Sequence, residues 1–200
     1  MESSETQRDE TRWTKATVFP DMWVDPDDDP RETDVDPGDE RGMLLDYLRY
    51  YRLTLEMKCS GLDAEQLARR SVPPSTMSLL GMVRHLAEGE RHFRRVMAGE
   101  DAPKLYCTEE DRDGDWNGAI ADPAVVDDAW RQWRAEVDLT DRFVAGVADL
   151  DTRNAGVSDY GPDGADVSLR DLLVAQIVEY ARHCGQADLL RECVDGRVGQ

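Results

Sequence analysis

Ser168 to Arg191 reads SLRDLLVAQIVEYARHCGQADLLR, and at 3.6 residues per turn it separates into two neighbouring stripes of one helix. Leu169, Leu173, Ile177, Tyr180, Cys184 and Ala187 form the apolar stripe. Beside it run Leu172, Gln176, Glu179, His183, Gln186 and Leu190, so a carboxylate and an imidazole stand one turn apart where core residues belong. Burying an ionised carboxylate without a partner is costly, and the site calls for a counter-ion, a hydrogen-bond network or a metal. Ser168 with Asp171 three residues on is the acidic form of a capping box, and Gly196 is a suitable terminator. From Ser168 to about Val194 such a helix rises roughly 40 Å, the full height of a helical bundle.

Three further segments supply the rest of a bundle. Asp39 to Ser60 repeats Leu44, Leu48, Tyr51 and Leu55 at helical spacing, with Leu45 alongside. A short turn, DAEQLARR from Asp63, leads to Pro73 and Pro74, which stop it. A second long helix starts near Ser78 and puts Met82, His85, Gly89, His92 and Val96 on one stripe, with Leu79, Val83, Leu86, Phe93 and Met97 next to it. The stretch from Gly99 to Asp122 is rich in Asp and Gly and too long for a tight antiparallel turn, which suits a crossover. Pro123 then opens a third long helix, carrying Val126, Trp130, Trp133, Val137 and Val144 to about Val147. There is no internal repeat, extended strand pattern, Gly-rich phosphate loop or G-x-S-x-G elbow. The expectation is an all-α four-helix bundle with a long crossover between helices two and three.

With 200 residues, 40% of them hydrophobic, the chain suits one sizeable core. We divide it into an extended acidic N-terminal segment, 1–38, and a helical domain, 39–200. Residues 1–12 are polar and expected to be loose. Asp25 to Glu40 holds nine acidic residues against the single Arg31 and reads as a solvated lead-in; the spacing of an EF-hand loop is absent. Trp13, Phe19 and Trp23 are expected to fold onto the main body. A net charge of −19 argues against nucleic acids and anionic membranes as partners. Neither a basic-then-apolar leader nor a run of about eighteen apolar residues is present, so a cytoplasmic protein is expected. Cys59, Cys107, Cys184 and Cys193 lack C-x-x-C spacing and read as free thiols. Val174 and Val178 lie opposite the polar stripe of the last helix, where either a homodimer contact or the aromatic N-terminal tail would cover them.

His85 on the second long helix can meet Glu179 and His183 on the fourth, giving two nitrogens and one oxygen around one divalent ion with positions left for water or substrate. E-x-x-x-H alone is common on solvated helix surfaces; the facing His and the burial make it a metal candidate. Zinc suits this donor set best, and nickel or iron also fit it. His92 lies two turns beyond His85 on the same face. Its default reading is a half-exposed polar residue near a helix end, with a catalytic role as the outside alternative.

These residues resemble the DinB-like four-helix metalloproteins, in the actinobacterial branch related to mycothiol-dependent maleylpyruvate isomerase. The resemblance spans roughly Asp39 to Gly196 and is carried by DERGMLLDYLRYYRLTLEMKCSGLDAEQLARRSVPPSTMSLLGMVRHLAEGERHFRR and EYARHCGQADLLRECVDG. It implies an up-down-down-up bundle whose metal is held by the matching His85, Glu179 and His183. Many of the wider group have two histidines on the fourth helix, whereas Glu179 with His183 looks like the isomerase pattern; Gln186 stands where close relatives often carry His. The resemblance, and not the spacing, implies thiol chemistry: mycothiol or a similar low-molecular-weight thiol, activated by the metal, would attack an electrophile in S-transfer or a thiol-assisted isomerisation. A hydrolase using metal-bound water and a non-catalytic metal-binding or interaction protein are the alternatives. Thiol dependence separates the first two, and turnover separates both from the third.

Overall fold

Each long helix begins where a short polar side chain can take up free backbone N–H groups, and the computed structural model, which describes residues 12–33, 36–157 and 166–200, has its helix starts at those caps. Asp39 accepts from Gly42 N at 2.8 Å and opens α1, Glu40–Cys59. Asp63 and Gln66 form a capping box around α2, Ala64–Ala68. Ser78 accepts from Gly81 N at the start of α3, Leu79–Ala98. A short α4, Gly114–Asn117, interrupts the crossover. Asp122 and Pro123 start α5, Pro123–Gly146. The Ser168–Asp171 box starts α6, Leu169–Asp195. Gly99 and Gly196 end α3 and α6 in the left-handed conformation, with φ of 67° and 79°, which side chains with a Cβ rarely adopt. No strand longer than an isolated bridge occurs among the described residues.

Contacts between facing helices give their directions. Along α1 and α6, Glu40 meets Arg170, Tyr51 meets Cys184 and Lys58 meets Asp188, so the two run parallel. Along α3 and α5, Arg91 meets Glu136 and Phe93 meets Phe143, again in parallel. Across α3 and α6 the order reverses, His85 facing Glu179 and Gly89 facing Gln176. The result is the up-down-down-up bundle, with the crossover between α3 and α5. Its core is built from the expected stripes: Leu48, Leu55, Met82, Leu86, Phe93, Trp133, Leu172, Leu173, Tyr180 and Leu190 are all buried, each large apolar side chain contributing about 1.5–3 kcal/mol.

One buried polar network joins the four long helices. Arg52 of α1 makes a two-toothed contact with Glu90 of α3, at 2.8 and 2.9 Å. Tyr180 of α6 donates to Glu90 at 2.8 Å, and Trp133 of α5 donates to Tyr180 at 2.8 Å. Such a network is satisfied in only one mutual rotation of the helices. Tyr180 adjoins Glu179 in sequence, and Glu90 follows His85 by little more than a turn. The network therefore sets how α3 and α6 present their polar stripes.

The acidic lead-in is less solvated than its composition suggests. Asp29 and Arg31 are buried together, and Arg31 also donates to Thr54 and to the carbonyl of Gln200. Trp23 is buried under Lys58, Arg191 and Arg197, as expected of an aromatic folded onto the body. Trp13 pairs with the chain near Arg197 yet stays partly exposed, and Phe19 is exposed. Val174 and Val178 remain half exposed, so the described part of the N-terminal segment does not cover them. The four cysteines are free. No helix among the described residues is long and apolar enough to cross a membrane. The start of the chain and most of the 157–167 loop lie outside the described residues.

Candidate metal centre

α3 and α6 cross with their polar stripes face to face, and His85, Glu179 and His183 converge there. Their potential ligand atoms all lie within 4.8 Å of one another. Glu179 Oε1 sits 3.2 Å from His85 Nε2 and 3.0 Å from His183 Nε2, one oxygen facing two ring nitrogens. The two imidazole rings are 4.9 Å apart, edge to face. His183 is buried, while His85 and Glu179 are each about a third exposed, with side-chain values of 31% and 34%. That differs from the fully buried carboxylate expected from the stripe pattern: Glu179 stands at the rim of a cleft, which leaves an approach from outside.

The far side of His85 is held by a residue with no signal in the sequence. Asp115 of α4 takes His85 Nδ1 on its Oδ2 at 2.7 Å, and its Oδ1 accepts from Trp116 N at 3.0 Å. Trp116 stacks on His85 with ring centres 5.1 Å apart. The crossover is fastened to α3 to make this possible. Arg84 donates to the carbonyls of Gly114 and Asp115 and lies over the Tyr106 ring, while Glu88 accepts from the N–H groups of Tyr106 and Cys107. Gly81 leaves the space for Trp116, since a Cβ there would come within 2.6 Å of the indole.

The titrating groups fall into a definite charge pattern. Burial disfavours the charged form of His85, but its hydrogen bonds to Asp115 and Glu179 outweigh this and raise its pKa. Burial likewise opposes ionisation of Asp115 and Glu179, and contact with the imidazoles reverses the effect and lowers both pKa values. His183 is shifted down, first by burial and then by the nearby charge of His85. Its Nδ1 and the Oε1 of neighbouring Gln186 are both buried without a hydrogen bond. Gln186 is thus a neighbour of His183.

A cleft of about 340 Å³ opens beside the trio, lined by His85, Glu179, Gln176, Asp115, Trp116 and a group of basic side chains. His92 lines the same cleft and is outside the converging trio. The arrangement offers a hard-soft borderline donor set of two imidazoles and a carboxylate, with an orienting carboxylate behind one imidazole, as catalytic metal sites do.

A family model described as Mycothiol-S-transferase matches residues 43–196. Among solved structures, a conserved protein from Enterococcus faecalis is 18% identical, with a TM-score of 0.52 over 78% of this chain and 98% of that one; that likeness concerns the fold. The comparison with curated proteins finds no match.

Proposed function

Because this chain belongs to the mycothiol-S-transferase family, we propose that it joins the sulfur of mycothiol, or of a comparable low-molecular-weight thiol, to an electrophile with one divalent ion held by His85, Glu179 and His183. The observation that carries the reading is the convergence of those three side chains on a common centre from two helices. The residues fit a dication in charge as well as in donor type. Asp115 and Glu179 bring two negative charges to the site, and an ion of charge two with both imidazoles neutral would cancel them. Zinc is the first choice for two nitrogens and an oxygen, with nickel and iron as alternatives.

Such an ion would lower the pKa of a bound thiol so that thiolate is present at neutral pH. The chain's own contribution is placement. Asp115 takes the Nδ1–H of His85 and so turns the Nε2 lone pair toward Glu179 and His183. Trp116 covers the outer face of His85 and excludes water from that side. Glu179, at the rim, joins the centre to the cleft in which the electrophile would sit. In S-transfer the sulfur bonds to the electrophilic carbon as the leaving group departs with its electron pair, and the thiol proton passes to solvent. His92, in the same cleft, is the group we assign to proton transfer on the substrate side.

The test is metal analysis of protein purified without chelator and offered zinc, nickel or iron, followed by thiol consumption with and without the ion. One ion per chain and metal-dependent thiol loss are expected. Protein that binds none of the three tightly would leave Glu179 and His183 as a structural pair, and the S-transferase reading would go with the metal.

A further inference from the structure

The cleft beside the trio is basic in a protein whose net charge is −19. Arg91, Arg95, Lys104 and Arg112 line it. Arg91 is taken by Glu136 and the carbonyl of Pro103. Among the described residues no hydrogen bond or ion pair reaches the side chains of Arg95, Lys104 or Arg112. Elsewhere the acidic chain does pair its arginines, as with Arg52, Arg94, Arg170 and Arg191. Most carboxylates of the cleft are engaged: Asp115 with His85, Glu179 with both imidazoles, and Glu88 with two backbone N–H groups. Exposed Asp113 remains.

An independent observation points to a ligand in the same place. Gln176 is 3% exposed, lines the cleft beside Glu179, and its Nε2 has no hydrogen-bond partner. A buried N–H donor without an acceptor is rare because it forfeits its bonds to water. Facing it is Gly89, whose missing side chain keeps the floor of the cleft open: a Cβ there would already touch Gln176 Nε2 at 3.8 Å.

We infer that, on the S-transferase reading above, the electrophile is an anion of the carboxylate class, drawn in by Arg95, Lys104 and Arg112 and oriented by an oxygen that accepts from Gln176 Nε2. Mycothiol has no ionised group apart from its thiol, so the unpaired cations have no work to do on the thiol substrate. They serve the other one. Each half-exposed or exposed cation is worth about a two- to fivefold preference, and together they give about tenfold or more.

The experiment uses the zinc-loaded full chain with mycothiol and two matched aryl chlorides, 4-chloro-3-nitrobenzoate and 4-chloro-3-nitrobenzamide. In both, sulfur bonds to the ring carbon and chloride leaves with the electron pair of the C–Cl bond. The readout is the ratio of kcat/KM for acid over amide, each divided by its uncatalysed rate. Binding of 3-nitrobenzoate and 3-nitrobenzamide, read by tryptophan quenching, needs no turnover. The expected ratio favours the acid about tenfold or more, shrinks at about 0.5 M salt, and falls close to one in the triple variant Arg95→Gln, Lys104→Gln, Arg112→Gln. Arg142→Gln, on α5 and outside the cleft, removes one equal charge and keeps the ratio. Gln176→Met weakens 3-nitrobenzoate binding severalfold. Equal binding of acid and amide by the parent protein, or a ratio that survives the triple variant, overturns the inference. Acid-selective binding that the triple variant abolishes, with neither chloride turned over, upholds the anion site and refutes the S-transferase reading instead.

Discussion

Asp115 is the residue on which the proposed metal centre leans without touching the ion, and its replacement tests the centre from behind. Its carboxylate is buried, with Oδ2 2.7 Å from His85 Nδ1 and Oδ1 3.0 Å from Trp116 N. A charge-assisted hydrogen bond of this kind is about twice as strong as a neutral one, and removing a ligand's outer partner typically weakens metal binding about 10- to 100-fold. Asp115→Asn keeps the volume, but a carboxamide has one oxygen and cannot accept from both His85 and Trp116. Its zinc affinity should fall about tenfold, or about 1.4 kcal/mol. Asp115→Ala leaves the His85 ring unheld and should cost about 100-fold. Competition with a chromophoric chelator measures both, and circular dichroism shows whether the bundle is intact, as it should be because α4 lies outside the four long helices. If Asp115→Ala binds zinc as tightly as the parent while His183→Ala has lost it, Asp115 does not orient His85 and the second carboxylate is no part of the centre.

Other outcomes follow from the same geometry. His183→Ala removes a nitrogen of the trio and should abolish stoichiometric metal, whereas His92→Ala should retain the metal and lower turnover; elemental analysis of the two proteins separates them. Arg52→Ala strands Glu90, which is 0% exposed, and should destabilise the bundle by about 3–5 kcal/mol, a fall in Tm of about 6 to 20 °C for a chain of this size. Acid should destabilise the fold through Glu136: burial alone would raise its pKa, but Arg91 and Arg94 outweigh burial and lower it from the ordinary 4.5. Its contribution is therefore complete above that value and is lost as pH falls through the lower folded one, so urea unfolding from pH 6 to pH 3 should show a shallower loss in Glu136→Gln. Exposed Val174 and Val178 should make α6 a self-association face, seen as a dimer by sedimentation velocity and weakened in Val178→Asp; a parent protein that sediments only as monomer rejects that face.

Much of this molecule is legible in its residues because helices are local objects. The cap at Ser168, the terminator Gly196, Pro123 at a helix start and the apolar spacing of Leu48, Leu86 and Leu173 each act within a turn or two, so helix bounds and inward faces follow closely from the sequence. The trio was also legible, since two of its members are one turn apart and the third lies on the inward face of another helix. Tertiary structure decided what depends on distant groups. Asp115 and Trp116 stand in an aperiodic loop about thirty residues after His85, and only the seating of α4 against Gly81 and Arg84 brings them to the imidazole. The Arg52–Glu90–Tyr180–Trp133 network needs one side chain from each long helix, and Arg31, solitary among acids in the sequence, is buried because Asp29 and the carbonyl of Gln200 meet it in space. Glu179 sits at a rim and not in the core for the same reason. A hydrophobic stripe says which face of a helix turns inward, but how deep each position lies depends on how closely the neighbouring helix approaches it.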